Sequence, residues 1–225
     1  MWGLLNLENE LIVPVKYDYI EHWGGIGPEA KFWLNKDDKK IYFSNQEILV
    51  SDIDTLVNFL GDYTFFKKED KLGFINSYKG TFKMLEYDSV IVKNTPFIVI
   101  EDGKYGTLDL EGNIDIPIKY NYLEAAGSFL ISKKRNKYGT LSLDNKVLEK
   151  PQFDKIEKNL FTMFGKVYQN GKIGLLNTDG YLLLPAEYDS LEVKVNGQVT
   201  ATNGDKEYQF NCMELQLKVL EKQKK

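Results

Sequence analysis

The chain has little of the chemistry on which most enzymes depend. Its 225 residues include one cysteine, Cys212, and one histidine, His22. A single cysteine excludes an internal disulfide and a thiolate zinc site, and a single histidine excludes a site built on several imidazoles. No serine or cysteine stands near His22 at the spacing of a nucleophile and its base. We therefore expect no enzymatic activity, no metal ion and no cofactor.

Long apolar runs and an excess of positive charge are also missing. The longest apolar runs, such as residues 97–100, are far shorter than the roughly 20 residues that a membrane-spanning helix needs. The N terminus has neither the basic start nor the apolar stretch of a secretory signal peptide. The net charge is −4, whereas a duplex nucleic-acid binder normally carries a basic stripe. We expect a cytoplasmic protein that binds neither nucleic acid nor membranes.

A glycine motif recurs along the chain. Lys-Tyr-Gly-Thr-Leu occurs at residues 104–108 and again at 137–141, and related segments surround other glycines at intervals of 33 to 36 residues. The first interval is 70 residues, twice the period, and a degenerate copy fits there with Lys39 in the glycine position and Ile53-Asp54 in the aromatic-acid position. The repeat glycines are Gly3, Gly73, Gly106, Gly139 and Gly174.

An aromatic residue followed by Asp or Asn stands 14 residues after each of these glycines. Because the pair recurs in every unit, we interpret the aromatic as a core residue and the acid as the cap of a turn through its own backbone, not as a catalytic group. A proline three residues before the aromatic, or two in one copy, should end the strand. The pairs are Tyr17-Asp18, Tyr87-Asp88, Tyr120-Asn121, Phe153-Asp154 and Tyr188-Asp189, and the prolines are Pro14, Pro117, Pro151 and Pro185.

Each unit reads as short strands separated by turns. Two apolar runs around a Gly/Asn/Asp cluster indicate a hairpin, and two further runs lead to the next glycine. The pattern predicts one all-β domain over residues 1–214, with units starting near 2, 38, 72, 105, 138 and 173 and a partial unit near 206. Residues 215–225 are predicted to form a short helix or a C-terminal tail.

The combined pattern resembles the WG repeat, also called the KWG repeat, of bacterial proteins. The resemblance covers residues 2 to about 210, although the tryptophan of the motif is kept only at Trp2. It implies an all-β repeat architecture whose recurring positions are structural, and it carries over no catalytic residue. WG-repeat proteins occur beside secreted bacterial toxins, so the resemblance also implies toxin neutralisation as one role.

Two arrangements of six such repeats are open. A single unit is too small to bury its apolar face, so the units must stack on their neighbours. A twisted open β-repeat array achieves this, and so does a closed six-bladed β-propeller. We favour the open array because 33 residues is short for a propeller blade, whose repeats usually run to about 40 or more.

The segment from residue 22 to residue 33 is the best candidate for a binding surface. It combines aromatic side chains with Gly24, Gly25 and Gly27 in a long connection between units, and aromatics on a permissive loop are typical of binding hot spots. The alternative is that these aromatics pack over the degenerate second unit as a cap. The candidate partner-binding residues are His22, Trp23, Phe32, Trp33, Asp37 and Asp38.

These features favour a non-catalytic, protein-binding repeat module. The specific hypothesis is an immunity protein that neutralises a bacterial toxin by occluding its active surface. Residues 1–75 hold 13 acidic residues against 8 lysines, a net charge of −5, which suits a basic partner. The alternative hypothesis is a small-ligand binder whose exposed aromatic rings stack on a glycan or a nucleotide.

Overall fold

The protein is built almost entirely from short antiparallel strands. The computed structural model describes residues 1–93, 95–158 and 164–223. Apart from a 3-10 turn at Gly27–Glu29 and the helix α1 (Cys212–Gln223), the elements in these ranges are strands. In chain order they are β1 (Trp2–Leu5), β2 (Leu11–Tyr17), β3 (Tyr19–Gly24), β4 (Lys31–Lys36), β5 (Lys39–Ser44), β6 (Glu47–Ile53), β7 (Thr55–Leu60), β8 (Tyr63–Lys68), β9 (Lys71–Asn76), β10 (Thr81–Leu85), β11 (Ser89–Ile91), β12 (Phe97–Glu101), β13 (Lys104–Leu108), β14 (Ile114–Tyr120), β15 (Leu123–Ala125), β16 (Phe129–Lys134), β17 (Lys137–Ser142), β18 (Val147–Phe153), β19 (Lys155–Lys158), β20 (Gly165–Gln169), β21 (Lys172–Leu176), β22 (Leu182–Tyr188), β23 (Ser190–Val193), β24 (Gln198–Asn203) and β25 (Lys206–Asn211).

The chain divides into two compact units. Unit 1 comprises Met1–Asp102 with Leu108–Ile114, and unit 2 comprises Gly103–Thr107 with Asp115–Lys225. Unit 1 contains the hairpin β1-β2, the sheets β3-β4-β5-β6 and β7-β8-β9-β10, and the pair β11-β12. Unit 2 contains the sheets β15-β16-β17-β18, β19-β20-β21-β22 and β23-β24-β25. The all-β repeat fold is therefore confirmed, while the single domain over 1–214 and the choice between open array and closed propeller stay predictions.

The sequence repeats and the sheets are out of phase. Gly139 lies in β17, the third strand of its sheet, and Phe153 ends β18, the fourth. The rest of that repeat, β19 and β20, forms the first two strands of the next sheet. Each repeat therefore links two consecutive sheets, which fits a unit that cannot bury its apolar face alone.

The repeat glycine is required by a bulge in the neighbouring strand. Tyr138 pairs with Phe153 but Thr140 pairs with Glu149, so β18 bulges opposite Gly139. A Cβ on Gly139 would lie 2.5 Å from the Glu149 carbonyl oxygen and 2.7 Å from the Pro151 nitrogen. The prediction that proline ends this strand is wrong: the strand continues through it, because a bulge interrupts the ladder where proline has no N–H to donate. Backbone crowds three other glycines in the same way, Gly3, Gly106 and Gly174.

Two repeats of unit 1 depart from this arrangement. In the first, β6 still bulges, since Lys40 pairs with Ile53 but Tyr42 pairs with Val50, although the repeat has no glycine opposite the bulge and no proline in it. Lys36 pairs with Lys39 just as Lys134 pairs with Lys137, so Lys39 takes the place of the repeat lysine. The expectation that Lys39 occupies the glycine position is therefore wrong, and Ile41 stands there. The spacing of 14 residues between the glycine and aromatic positions does not hold in this repeat, because a two-residue turn at Asn45 and Gln46, with φ of 52° and 64°, makes this hairpin shorter than the others.

The other departing repeat keeps its glycine for a different reason. β10 pairs with β9 without a register shift, and Gly73 lies opposite Met84. A Cβ on Gly73 would lie 2.1 Å from Cζ of Phe66, so it is the phenyl ring of β8, and not a bulged backbone, that occupies this space. The fourth strand here contains no proline.

The aromatic residues of the repeat contribute to the core as predicted, but unequally. Tyr17 and Phe153 are buried, as is Ile53 in the degenerate copy. The equivalent tyrosines at 87, 120 and 188 are half-buried.

The C-terminal helix α1 begins earlier than the predicted start at residue 215. The Asn211 side chain accepts a hydrogen bond from the Met213 N–H at 2.9 Å, which caps the first turn. Cys212, Leu215 and Val219 pack on Leu184 and its neighbours in unit 2. Residues 224–225 of the predicted tail lie outside the described residues.

Candidate interaction surfaces

The acid of each aromatic-acid pair joins two consecutive sheets. The Asp154 carboxylate accepts a hydrogen bond from the Asn170 N–H at 2.8 Å and forms an ion pair with Lys137. Asn170 lies in the turn between β20 and β21 of the next sheet, whereas Lys137 begins β17. The prediction that the acid caps a turn through its own backbone is therefore wrong. The acid does cap a turn, but that turn comes 16 residues later in the chain.

The same contacts recur in both units. Asp189 accepts from the Gly204 N–H at 2.8 Å and pairs with Lys172 at 2.7 Å. The lysine hydrogen bond is the main cause that lowers the pKa of Asp54, Asp154 and Asp189 below the ordinary value of 3.8. Each oxygen of the Asp154 and Asp189 carboxylates therefore has a partner within the protein, and we interpret these acids as structural because the contacts recur.

The six predicted partner-binding residues fall into three separate places. His22 and Trp23 lie in β3, while Phe32 and Trp33 lie in β4. The sequence suggested that these aromatics lie on a loop. In the structure they lie on two paired strands. Asp37 and Asp38 form the two-residue turn after β4, with φ of 51° and 61°. At about 3.3 Å per residue, this turn lies roughly 17 Å from Phe32 along the strand.

His22 and Phe32 share one face of the sheet. They pair across β3 and β4, with ring centroids 5.3 Å apart. His22 Nε2–H donates to the Gly25 carbonyl oxygen at 3.0 Å, which fixes the ring over the turn. This histidine packs and closes a turn, and its partners supply no nucleophile.

Trp23 and Trp33 share the opposite face, and they differ in exposure. Trp33 is 1% exposed, packs on Tyr42 with ring centroids 4.7 Å apart and offers no surface to a partner in this conformation. Trp23 is half-buried and lies edge-to-face on Trp33, with centroids 6.2 Å apart. The alternative that these aromatics pack as a cap therefore describes Trp33, while Trp23 keeps part of its ring surface exposed.

Phe59 of β7, which no sequence pattern singled out, completes this surface. Its ring lies edge-to-face on Trp23 with centroids 5.3 Å apart, and the residue is 57% exposed. We call Trp23 and Phe59 the aromatic patch. The apolar run 56–60 has large side chains on both faces of the strand, so alternation could not show which side chain emerges. Between Trp23 and β4, Ile26 is 91% exposed at the tip of the connection.

The described part of the chain shows no metal-binding cluster. Within residues 1–93, 95–158 and 164–223 there is no group of three or more His, Cys, Asp or Glu side chains that could hold a metal ion. Cys212 is buried, and burial raises the pKa of its thiol, which makes the thiolate scarce. Among the described residues, no helix has the length and apolar character to cross a membrane.

Comparisons with known proteins place the repeat at the N terminus. The family profile described as "WG containing repeat" matches residues 2–27, which confirms the resemblance to WG-repeat proteins. No curated protein matches the chain. Among solved structures, Kluyveromyces lactis Hsv2 is similar at 12% identity, covering 82% of this chain and 72% of that chain with a TM-score of 0.38. The WD40 domain of SCAP from fission yeast is similar at 12% identity, covering 83% and 62%, with a TM-score of 0.33.

Proposed function

We propose, from the WG repeat at residues 2–27 and the sheets that continue its pattern, that this protein is a non-catalytic module that binds another protein. Repeated sheets present extended surfaces, and such surfaces commonly serve protein recognition. The described residues offer open grooves and exposed apolar side chains, and the acids that recur in the repeats are engaged in holding turns.

The observation that carries the proposal is the aromatic patch of unit 1. Trp23 and Phe59 present ring surface next to each other, and Trp33 beneath them is fully packed. A rigid, partly exposed aromatic pair loses little side-chain entropy on binding, and aromatic residues are enriched among hot spots. The patch is therefore the surface at which we place the partner.

The specific partner that we propose is a bacterial toxin domain, whose active surface this protein would cover. The support is the resemblance to WG-repeat proteins and the net charge of −5 over residues 1–75, which would speed association with a basic partner. The Asp37-Asp38 turn, at a distance from the patch, would contribute to this long-range attraction and not to the same contact.

A small ligand is the second candidate, because two exposed rings can also stack on a sugar or a nucleobase. The two candidates differ in the area that they need. A protein partner contacts residues beyond the patch, whereas a stacked ligand contacts the rings alone. Titration with a glycan and nucleotide panel, followed by tryptophan fluorescence, gives a saturable change only for the small ligand.

The test is affinity capture by the tagged chain from native lysate, with bound proteins quantified by mass spectrometry. We expect one stoichiometric partner that survives moderate salt. Phe59→Ser should lower its retention at least tenfold, since loss of a hot spot costs about 1.4 kcal/mol or more. Tyr78→Ser is the matched control, because Tyr78 is an aromatic of the same unit that is 81% exposed.

Three outcomes decide the proposal. Retention that falls for Phe59→Ser and not for Tyr78→Ser supports the patch, provided that both variants keep the wild-type thermal midpoint. Equal retention by both variants moves the contact to another surface. Capture of nothing above background, together with saturable fluorescence titration, contradicts protein binding in favour of the small ligand. If the captured protein is a toxin, its activity with and without this chain tests neutralisation.

A further inference from the structure

A shallow groove runs along the edge of unit 1, away from the aromatic patch. Its volume is about 400 Å³, and its walls come from β6, from β10 and from the turn between β8 and β9. The lining residues are Ile48, Leu49, Val50, Ser51, Lys68, Glu69, Lys71, Phe82 and Met84. We call it the β6–β10 groove.

The lining pattern shows how each strand meets the groove. Four consecutive residues of β6, 48 to 51, line it. The pairing of β6 with β5 shifts register twice in this stretch, so its side chains do not alternate strictly, and four lining residues in a row bring the backbone of β6 to the groove. The residues of β10 that line the groove are Phe82 and Met84. They are two residues apart, so the groove lies against one face of β10. The groove therefore combines an open backbone edge with an apolar wall.

The edge of β6 is available for pairing. β6 is the last strand of its sheet and pairs only with β5. Proteins protect such edges with proline or with a bulge, and β6 carries two register shifts in its pairing with β5. Four of the equivalent fourth strands contain a proline as well, at Pro14, Pro117, Pro151 and Pro185. The two without proline are β6 and β10, the two strands that form this groove.

The groove has an apolar wall and a positively charged end. Phe82 is 45% exposed and Met84 is 37% exposed, so an apolar side chain placed against them would bury area on both. Lys68 donates to the Ser51 carbonyl oxygen at 3.0 Å and thereby ends the free part of the edge. Lys68 also forms an ion pair with Asp52 at 3.8 Å, whereas the Lys71 ammonium, which lines the same groove, makes no hydrogen bond or ion pair among the described residues.

We propose that the β6–β10 groove binds an extended apolar segment of a partner protein that carries an acidic residue. The segment adds to β6 as a further strand, and its alternate side chains pack on Phe82 and Met84. Its carboxylate lies at the end where Lys71 has no partner. Main-chain hydrogen bonds to the edge provide affinity in this mode, and the side-chain pockets provide selectivity.

The apolar wall distinguishes this site from a general anion site. A free carboxylate or phosphate would use the lysines and leave Phe82 and Met84 in water. A strand uses both, and methionine adapts to side chains of different shape. The proposal needs no covalent step.

The experiment selects a displayed library of random eight-residue peptides against the full chain. We expect enriched peptides with alternating apolar residues and at least one acidic residue. A synthetic copy of an enriched peptide should bind Phe82→Ser/Met84→Ser at least tenfold more weakly than the wild type, and Lys71→Glu at least fivefold more weakly. Val147→Ser is the matched control, because Val147 of β18 is also an exposed apolar residue of a fourth strand, 57% against 45% and 37% for Phe82 and Met84, and its strand contains Pro151.

Amide hydrogen exchange provides the structural readout that mutation alone does not. The peptide should slow exchange in β6 at the N–H groups that point away from β5, which are the groups that strand addition engages. Loss of binding in the serine variant with an unchanged thermal midpoint, together with this protection, supports the proposal. If the double variant does not fold, Lys71→Glu and the exchange pattern decide.

Several results would overturn it. They are a selection that enriches no peptide, enriched peptides that bind the serine variant as well as the wild type, and binding without protection of β6. Peptides without an acidic residue that are indifferent to Lys71→Glu would overturn the carboxylate assignment. The groove and the aromatic patch are separate, so peptide binding should be unchanged in Phe59→Ser, and failure at one surface leaves the other as it was.

Discussion

Two hairpins of the same repeat pattern, β17–β18 in unit 2 and β9–β10 in unit 1, differ in how the fourth strand runs. In β17–β18 the strand bulges through Pro151 and its backbone covers Gly139. In β9–β10 the strand has no bulge and no proline, and the ring of Phe66 covers Gly73. The same glycine is thus kept for two physical reasons.

The two hairpins also differ in whether the lysine at the start of the third strand forms an ion pair with the acid that follows the fourth strand. Lys137 pairs with Asp154, 17 residues later. Lys71 and Asp88 have the same spacing in the sequence, but no ion pair joins them in the described structure. Asp88 still accepts the N–H of Asp102 at 2.9 Å. Without the bulge the acid no longer meets its lysine, and Lys71 is left at the β6–β10 groove. The repeat that departs from the pattern is the one that offers a surface.

The largest expected effect is at the two glycines. Gly139→Ala should destabilise the protein by about 3 kcal/mol, because the new methyl group meets backbone that cannot move without breaking the bulge. Gly73→Ala should cost about 2 kcal/mol, because it meets a side chain. Urea unfolding of each variant gives both values.

A double-mutant cycle sharpens this comparison. Phe66→Leu combined with Gly73→Ala should be less destabilised than the sum of the single variants, by about 1 kcal/mol. No single side chain can be trimmed to relieve Gly139→Ala. Strict additivity of Phe66→Leu and Gly73→Ala would show that the ring is not what keeps Gly73.

Two buried threonines give the next effect. Thr140 of β17 donates to the Gly180 carbonyl oxygen at 2.7 Å and accepts from the Glu149 N–H at 3.1 Å, so Thr140→Val should cost about 2 kcal/mol. Thr64 of β8 is equally buried, but its hydroxyl has no partner among the described residues. Thr64→Val should therefore be neutral or stabilise by up to about 1 kcal/mol. A loss of stability in Thr64→Val, measured by urea unfolding, would reveal a partner such as a buried water.

The smallest effect is the acid dependence. The pKa values of Asp154 and Asp189 are lowered by their lysines from 3.8. Because the folded pKa is the lower one, the stabilisation is present above pH 3.8 and is lost as the pH falls through the folded value. Asp154→Asn/Asp189→Asn should flatten the loss of stability between pH 5 and pH 2. Asp88→Asn serves as the control, because it removes a carboxylate that caps a turn without a lysine partner in the described structure. Urea midpoints across this range compare the three, and identical curves would contradict the role of the lysines.

Much of the fold could be predicted because it repeats. Hydrophobic runs separated by Gly, Asn and Asp predicted the hairpins, and the spacing of glycine and aromatic predicted the units, since both are local properties of strands and turns. The prediction failed at Lys39, because a shorter turn at Asn45 and Gln46 changes the count without changing the pairing. It also failed at Pro151, because the bulge that admits proline depends on the neighbouring strand.

The candidate surface could be predicted only in part. Composition pointed to Trp23 and Trp33 as aromatics in a Gly-rich stretch, but it could not tell that one is buried and the other half-exposed. Phe59 comes from the next sheet, 36 residues away from Trp23 in the chain, and no local pattern links the two. Burial and long-range contact are set by packing, which a single sequence does not display.

The sequence by itself determined the strand type, the repeat period and the lack of multi-histidine and multi-cysteine sites, because backbone preference and side-chain inventory are local. The tertiary structure decided why each glycine is kept, which carboxylate meets which lysine and which apolar residues stay in water. Those properties depend on atoms that are distant in the chain and within a few ångströms in space. Asp154 holding a turn of the next sheet, and the Lys71 ammonium left without an ion pair among the described residues, are the two clearest results of that packing.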